Sequence, residues 1–487
     1  MSLKQEAIRG VTWSAAQKWG VRIISFVVML ILARLVLPES FGLVAYATVF
    51  ISFAQIFVDQ GFSDAIVQFP KLEREHLDTA FWISILTGTG LTIATILSSG
   101  LIANGFQEPR LVPVLKWLSP IFLISALSSV QQSLLRRNLA FKALTVRSLV
   151  ATIASGIVAV VMAFLGYGVW SLVAKLLVDG VVSVIALWRV SNWRPTFQIS
   201  RKHVKELFSF GMHIVGGNFV DFLSVHSDDF LIGYFLGPVA LGYYTLGYNL
   251  LIVMTDLLVS VPNLVVFPIF SKIQDDRERL TAAFHEVTQL QSLIAFPIFL
   301  GIFIVAPEAV IVLYSDTWAA SIPVVQILML IGIVRSAIYF YSSIFRAAGK
   351  PSWRFGIYAL TAALNVVGFL LVVKLGIVAV AISYVVVSYI LMPLYFLMIR
   401  KLIGVSIRSH LSQYIPALLS SLIMIAVVLV FKYFIGQNFT ILIRLIIYVI
   451  AGVGAYLLGI RLIRPALYSK MLGLAQMAIP KFPARQN

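Results

Sequence analysis

The stretch RLVLPESFGLVAY, residues 34–46, and its echo GYFLGPVALGYY, residues 233–244, decide the fold. In each, a proline stands four residues before a glycine, between two long apolar runs. The pairs are Pro38/Gly42 and Pro238/Gly242, at an offset of 200 residues. Two weaker echoes follow in the same order. Arg137–Asn138 with Phe141–Lys142 faces Arg346, Gly349 and Trp353–Arg354, and Gly168–Val169 faces Gly376–Ile377. Any one echo could be chance similarity between apolar segments. Three in order at nearly one offset point to an internal duplication.

The runs flanking these motifs belong to a series that fills the chain. Of the 487 residues, 60% are hydrophobic and 12% charged, against about 45–50% and about 25% in soluble domains. A single soluble core stops growing at about 250–300 residues and could not absorb this much apolar side chain. A bilayer does so by acting as the solvent. Apolar segments of about 20 residues, each enough to cross about 30 Å of hydrocarbon, fall near 12–36, 41–62, 79–103, 111–135, 143–165, 168–188, 207–235, 239–267, 288–313, 320–345, 354–374, 377–399, 410–434 and 438–461. The expected fold is therefore all-α and integral to the membrane, with about fourteen crossings. The first segment carries Lys18 and Arg22 and lacks a small-residue cleavage pattern, so it reads as a retained helix rather than a signal peptide.

Loop charge orients the chain. The formal charge is +17, which in a soluble protein would suggest nucleic acid; here the basic residues gather in alternate loops, and no nucleic-acid partner is expected. Those loops hold Lys71/Arg74, Arg136/Arg137/Lys142, Arg189 to Lys205, Lys272/Arg277/Arg279, Arg346/Lys350/Arg354, Arg400/Lys401/Arg408 and the tail from Arg461. The intervening loops, such as Pro38–Ser40 and Gly237–Pro238, are short and nearly uncharged. Lys and Arg in short loops mark the cytoplasmic side, so both termini are expected there. Six crossings per duplicated unit is an even number. The copies then share one orientation, related by an axis along the membrane normal. The expected organisation is an N-terminal lobe over 1–200, a C-terminal lobe over 201–405, two additional crossings over 406–465 and a cytoplasmic tail over 466–487.

A charge at the bilayer centre costs about 2.5–3.5 kcal/mol on insertion scales and usually faces a bundle interior or a cavity. Charges inside the spans are therefore the candidate site. Lys18 and Arg22, four apart, share one helix face; they either line a cavity or snorkel to the interface. Arg147 opens the fifth span. Lys175 and Asp179, again four apart, either clamp each other or face a cavity. The seventh span carries His213, Gly217, Asp221, Ser224 and Asp228 along one stripe, with His226 and Asp229 beside it. Asp221 lies deepest. Asn249, Asp256 and Asn263 follow at heptad spacing, as a polar seam or a cavity wall. Arg335, Tyr339, Ser342 and Arg346 share a face of the tenth span. Cations (Lys18, Arg22, Arg147, Lys175, Arg335) outnumber deep carboxylates (Asp179, Asp221, Asp256) and come from both lobes. A cavity between the lobes would be net positive and suit an anionic cargo such as a diphosphate or acidic sugar, with Arg as the bidentate partner. Tyr243, Tyr244, Tyr248, Tyr339 and Tyr341 either stack on sugar rings or serve packing and the interface.

Other chemistry is not encoded in recognisable form. With 0 Cys there are no disulfides, thiolate nucleophiles or thiolate metal sites. The six histidines show no metal-ligand spacing, and no Walker A, dinucleotide-binding, HExxH or GxSxG pattern occurs. No cofactor is expected, and transport energy must come from a gradient, the substrate or a partner.

GVTWSAAQKWG (10–20), ARLVLPESFGLVAYA (33–47), LLRRNLAFK (134–142), DDFLIGYFLGPVALGYYTLGYNL (228–250), PIFSKIQDD (268–276) and FRAAGKPSW (345–353) together resemble the polysaccharide transporter family of the multidrug/oligosaccharidyl-lipid/polysaccharide exporter superfamily. The resemblance covers nearly the whole chain, through motifs that are mainly structural. It implies two six-helix lobes, two extra helices and alternating access. The implied cargo is an undecaprenyl-diphosphate-linked oligosaccharide, carried from the cytoplasmic to the periplasmic leaflet of a bacterial inner membrane for exopolysaccharide, capsule or O-antigen synthesis. Implied partners are the bilayer, a polysaccharide polymerase with its export machinery, and H+ or Na+ as coupling ion. The family has no invariant catalytic motif, so the candidate site rests on the charge argument. Two alternatives stand beside this reading. A cation-coupled multidrug exporter of the same superfamily would need a deep acidic site. A membrane glycan polymerase or ligase would need a sizeable outer loop, which the short outer loops do not offer.

Overall fold

The computed structural model describes residues 3–435 and 439–478. Among the described residues the regular structure is helical, with no strand. In chain order the helices are α1 (Leu3–Leu35), α2 (Pro38–Asp59), α3 (Phe62–Gln68), α4 (Arg74–Gly105), α5 (Leu111–Leu118), α6 (Ile121–Arg137), α7 (Phe141–Phe164), α8 (Val169–Val190), α9 (Arg201–Thr255), α10 (Val261–Lys272), α11 (Arg277–Tyr314), α12 (Ile322–Ile338), α13 (Tyr341–Ala347), α14 (Pro351–Val372), α15 (Ile377–Ile403), α16 (Ile407–Ser412), α17 (Ile415–Ile435), α18 (Ile441–Ile463) and α19 (Pro465–Ala478).

Twelve helices among the described residues are long and apolar enough to cross a membrane. The chain is a multi-pass membrane protein. The difference from the expected fourteen arises at two places. The spans at 207–235 and 239–267 fall within the single run α9, which is two helices meeting at a backbone break at Gly237 (φ 86, ψ 176), just before Pro238. That conformation is open only to glycine. The first span lies within α1, which carries Lys18, Arg22 and Arg34 and is not among the twelve.

The echoed motifs meet in space. α2 begins at Pro38, where a missing N–H costs nothing and a fixed φ suits the first turn. It packs along α9. At their crossing a Cβ on Gly42 would fall on the carbonyl oxygen of Pro238, and a Cβ on Gly242 on that of Pro38. Each Pro-x-x-x-Gly thus supplies both the small residue and the carbonyl that the other needs. Gly168 and Gly376, the other echoed glycines, stand immediately before α8 and α15 with positive φ (53° and 104°). Trp318, fully buried, donates from Nε1 to the Ala33 carbonyl at 2.6 Å and packs edge-on against Phe41.

The remaining packing follows chain order. α1 lies on α7, α7 on α8 and α4 on α6; further on, α12 lies on α9, α11 and α15, and α14 on α9 and α15. α17 and α18 pack on each other and on α11. Lys432 Nζ donates to Glu308 Oε2 at 2.8 Å, and Tyr456 Oη to the Leu293 carbonyl at 2.7 Å, so polar contacts as well as apolar ones dock this pair.

Candidate polar cavities

The ten candidate site residues do not converge on one chamber. The structure distributes most of them over three polar places. The largest is a cavity of about 530 Å³ walled by α9, α12, α13, α14 and α15. Ser224 comes from α9, Arg335 and Tyr339 from the end of α12, Ser342 and Arg346 from α13, Arg354 and Tyr358 from α14, and Tyr384 and Ser388 from α15. Arg335 donates to Tyr384 Oη at 2.6 Å, and its guanidinium lies 5.8 Å from the centre of that ring. Tyr384 stacks on Tyr248 with centroids 6.4 Å apart, and Tyr248 on Tyr244 at 6.2 Å. Tyr244 Oη donates to Asp228 Oδ2 at 2.7 Å. Asp228 is thereby a buried anchor at the far end of a tyrosine ladder and does not line the cavity. Arg346, an exposed residue, covers the Phe267 ring at 4.1 Å in a cation–π contact. Asp221 sits on an exposed part of α9, outside the lining.

A second cavity, of about 460 Å³, is enclosed by α1, α2, α6, α7 and α8. Arg147, Lys175 and Asp179 all line it, with Gln55, Ser125 and Ser155 among the polar groups around them. Arg147 donates to Gln132 Oε1 at 2.7 Å and to Ser148 Oγ at 3.2 Å. Asp179 accepts from Ser155 Oγ at 3.4 Å. Lys175 and Asp179 share the cavity without a direct ion pair among the described residues, so the helical spacing of four brings them to one face without closing a clamp.

The third place is a notch of about 370 Å³ lined by Gln17, Lys18, Arg22, Ser148 and Asp256. Arg22 and Asp256 form an ion pair there. Asp256 opens a single π-helical turn, Asp256–Ser260, that interrupts the run from α9 into α10. Such turns are rare and frequent at functional sites. Beside the pair, Trp19 Nε1 donates to the Leu257 carbonyl at 3.2 Å. Of the heptad set, Asn249 lies in α9, while the side chain of Asn263, like that of His213, lies outside the described residues.

Several lining residues escaped the sequence reading. Arg354 stands at the edge of a basic loop and of the eleventh span, and its charge reads as loop charge, although the first turns of α14 face the cavity. Gln55, Tyr358 and Asn365 are uncharged, and an argument from charge passes over them. A helical-wheel reading of the second and eleventh spans would have placed them on polar faces.

A family described as "Polysaccharide biosynthesis protein" matches residues 31–323. The lipopolysaccharide biosynthesis protein WzxC of Escherichia coli (strain K12) is 28% identical over 428 residues, which is 86% of this chain and 86% of that protein. The teichuronic acid biosynthesis protein TuaB of Bacillus subtilis (strain 168) is 26% identical over 482 residues, 97% of this chain and 98% of its own. Among solved structures, the lipid II flippase MurJ in an inward closed conformation superposes with a TM-score of 0.77 at 17% identity, over 94% of this chain and 99% of that one. At that identity the likeness concerns the fold.

Proposed function

Since the chain belongs to this polysaccharide biosynthesis family, we propose that it is a transporter, not an enzyme, which flips a lipid-linked oligosaccharide of the undecaprenyl-diphosphate type between leaflets. The direction is from the cytoplasmic to the periplasmic face of a bacterial inner membrane, with both termini in the cytoplasm. Relatives named for lipopolysaccharide and teichuronic acid biosynthesis and a fold like that of a lipid II flippase support this reading.

The observation that carries the cargo's charge is the cavity between α9 and α12–α15. Arg335, Arg346 and Arg354 line it against Asp256. Guanidinium groups hold diphosphate and carboxylate oxygens in paired hydrogen bonds, and the half-buried Tyr358 in the same wall offers a face for a sugar ring. The smaller cavity adds Arg147 and Lys175 against Asp179. This excess of cations disfavours the alternative of a multidrug exporter for cationic compounds.

In the proposed cycle the segments 1–200 and 201–405 tilt against each other about the Pro38/Pro238 crossing, and 406–465 ride on α11. The cycle draws on a gradient of H+ or Na+, and the product passes to a polymerase and export machinery. The test is reconstitution into liposomes with lipid-linked oligosaccharides, with arrival at the opposite leaflet read by a membrane-impermeant glycosidase. Wild-type protein should give transport that empty liposomes lack, and collapse of the coupling gradient should slow it. No transport of any anionic lipid-linked glycan, with polymer export intact in depleted cells, would sink the proposal.

A further inference from the structure

Two of the six histidines meet at a point none of the cavities includes. His76 lies in the first turn of α4 and His203 in the first turn of α9. Both are buried, and their ring centroids are 3.9 Å apart. Three carboxylates from the same two helix starts surround them. Glu73 Oε2 is 3.3 Å from His203 Nε2, Glu75 Oε2 is 3.4 Å from His203 Nδ1, and Glu206 Oε2 is 3.1 Å from His76 Nε2. One donor atom from each of Glu73, His76 and His203 lies within 4.8 Å of the other two.

Local structure accounts for part of this. Glu73 and His76 form the box that opens α4, with His76 Nδ1 accepting the Glu73 N–H at 3.2 Å. It does not account for His203. That side chain is 4% exposed, and its Nδ1 is buried without a hydrogen bond of acceptable geometry. Nor does it explain why three carboxylates share one spot with two imidazoles.

We propose that this cluster binds a divalent transition-metal cation of the Zn2+ class through His76, His203 and Glu73. Imidazole and carboxylate are the donor types such ions take, at about 2.0–2.2 Å. The outer groups fit as well. A metal-bound imidazole turns its second nitrogen to a carboxylate that fixes its orientation. Here Glu206 faces His76 Nε2 and Glu75 faces His203 Nδ1, which leaves His76 Nδ1 and His203 Nε2 for the ion. The cation takes the place of the Glu73 N–H at His76 Nδ1. The Glu73 side chain is 60% exposed, so it can close on the ion and leave a fourth position to water. The positive charge offsets the crowded carboxylates.

The seat is held in place without the ion. Asp78 accepts from the Thr196 N–H at 3.1 Å, Trp82 Nε1 donates to the Thr196 carbonyl at 2.8 Å, and Trp82 stacks on Phe197 at 4.5 Å. The bound ion would clamp the start of α9 to the start of α4, and this inference stands independently of the transported cargo.

The test uses the full chain in detergent, stripped with chelator and titrated with zinc chloride alone by calorimetry. Co2+ absorption reports the donor set. One equivalent should bind per chain and raise the thermal midpoint. His203→Ala and His76→Ala should weaken binding at least tenfold, whereas His285→Ala, outside the cluster, should leave it unchanged. Glu73→Gln keeps both histidines and the exposed helix start, and it should also weaken binding about tenfold, which decides the matter if the buried variants fail to fold. Wild-type protein without stoichiometric binding, or binding that survives unaltered in Glu73→Gln and the double histidine variant, overturns the proposal.

Discussion

Arg335 combines a fork of donors with fixed tyrosine partners in the wall of the cavity. Its bonds to Tyr384 Oη and to Tyr248 hold the guanidinium beside the tyrosine ladder, in the cavity wall. A hydrogen bond to a charged group is worth about 1.5–3 kcal/mol. Arg335→Ala should therefore lower liposome transport by about 10- to 100-fold, and Arg335→Lys by less, since it keeps the charge and loses the fork. Equal transport in all three proteins would remove Arg335 from the site. A second residue-scale expectation concerns pH. In the turn between α4 and α5, Arg110 donates to Glu108 at 2.7 Å and to Glu39 at 2.6 Å. Its hydrogen bonds hold the Glu108 carboxyl below the usual carboxylate range. The folded pKa is thus depressed relative to the unfolded value of about 4.3. The stabilisation is complete above that value and is lost as pH falls through the lower folded pKa. Glu108→Gln should lower the thermal midpoint at pH 7, and the gap to wild type should narrow toward pH 3. Charges such as these were legible in the sequence as charges. Their partners were not, because Tyr384, Gln132 and Ser155 stand on other helices and are uncharged, so they carry no signal of pairing.

At the scale of elements, the reciprocal crossing of α2 and α9 joins the repeat to the packing. Small residues let helix backbones approach closely in a bilayer, where no hydrophobic force draws helices together. Replacing Gly42 or Gly242 by Ala places a methyl on a carbonyl oxygen of the facing helix, and backbone cannot yield as a side-chain tip can. Overpacking of this kind costs about 1–3 kcal/mol. The exposed Gly90 of α4 has open space around it, and there Ala should stabilise by about 0.5–1 kcal/mol through helix propensity. Thermal midpoints of Gly42→Ala and Gly242→Ala should therefore fall while that of Gly90→Ala rises; a rise in all three would mean that the crossing is looser than its geometry. The Pro-x-x-x-Gly spacing made this crossing readable in advance as a repeat. The break inside α9 was readable too, because a Gly-Pro pair signals one, and the backbone turns out of the helix at Gly237. The meeting of His76 and His203 was hidden: metal-ligand spacing is a local pattern, and these ligands come from two separate helix starts.

For the molecule as a whole, the expected single positive chamber is instead two walled cavities and a notch, and the notch is one of the places where the two halves of the chain touch. α1 meets the π-helical turn through the Arg22–Asp256 pair and the bond from Trp19 to the Leu257 carbonyl. At the other end of α1, Arg34 donates to the Leu313 carbonyl at 2.9 Å and Ala33 accepts from Trp318. Contacts at both ends of α1 cannot be kept if the halves tilt to admit a large headgroup from one face and release it to the other, so one set must open in each state. The chain's natural lack of cysteine gives a clean way to ask which. Trp19→Cys with Leu257→Cys, joined by a short bifunctional thiol reagent, should arrest transport after at most one turnover. Reversible reagents should restore it on reduction, and either single variant should be unaffected by the same reagent. A pair placed in the α17–α18 hairpin, which packs only on itself and α11 among the helices it contacts most, should cross-link without loss of transport. If the joined Trp19/Leu257 variant still transports at the wild-type rate, the contact between α1 and the π-helical turn stays closed throughout the cycle, and access must pass between other helices.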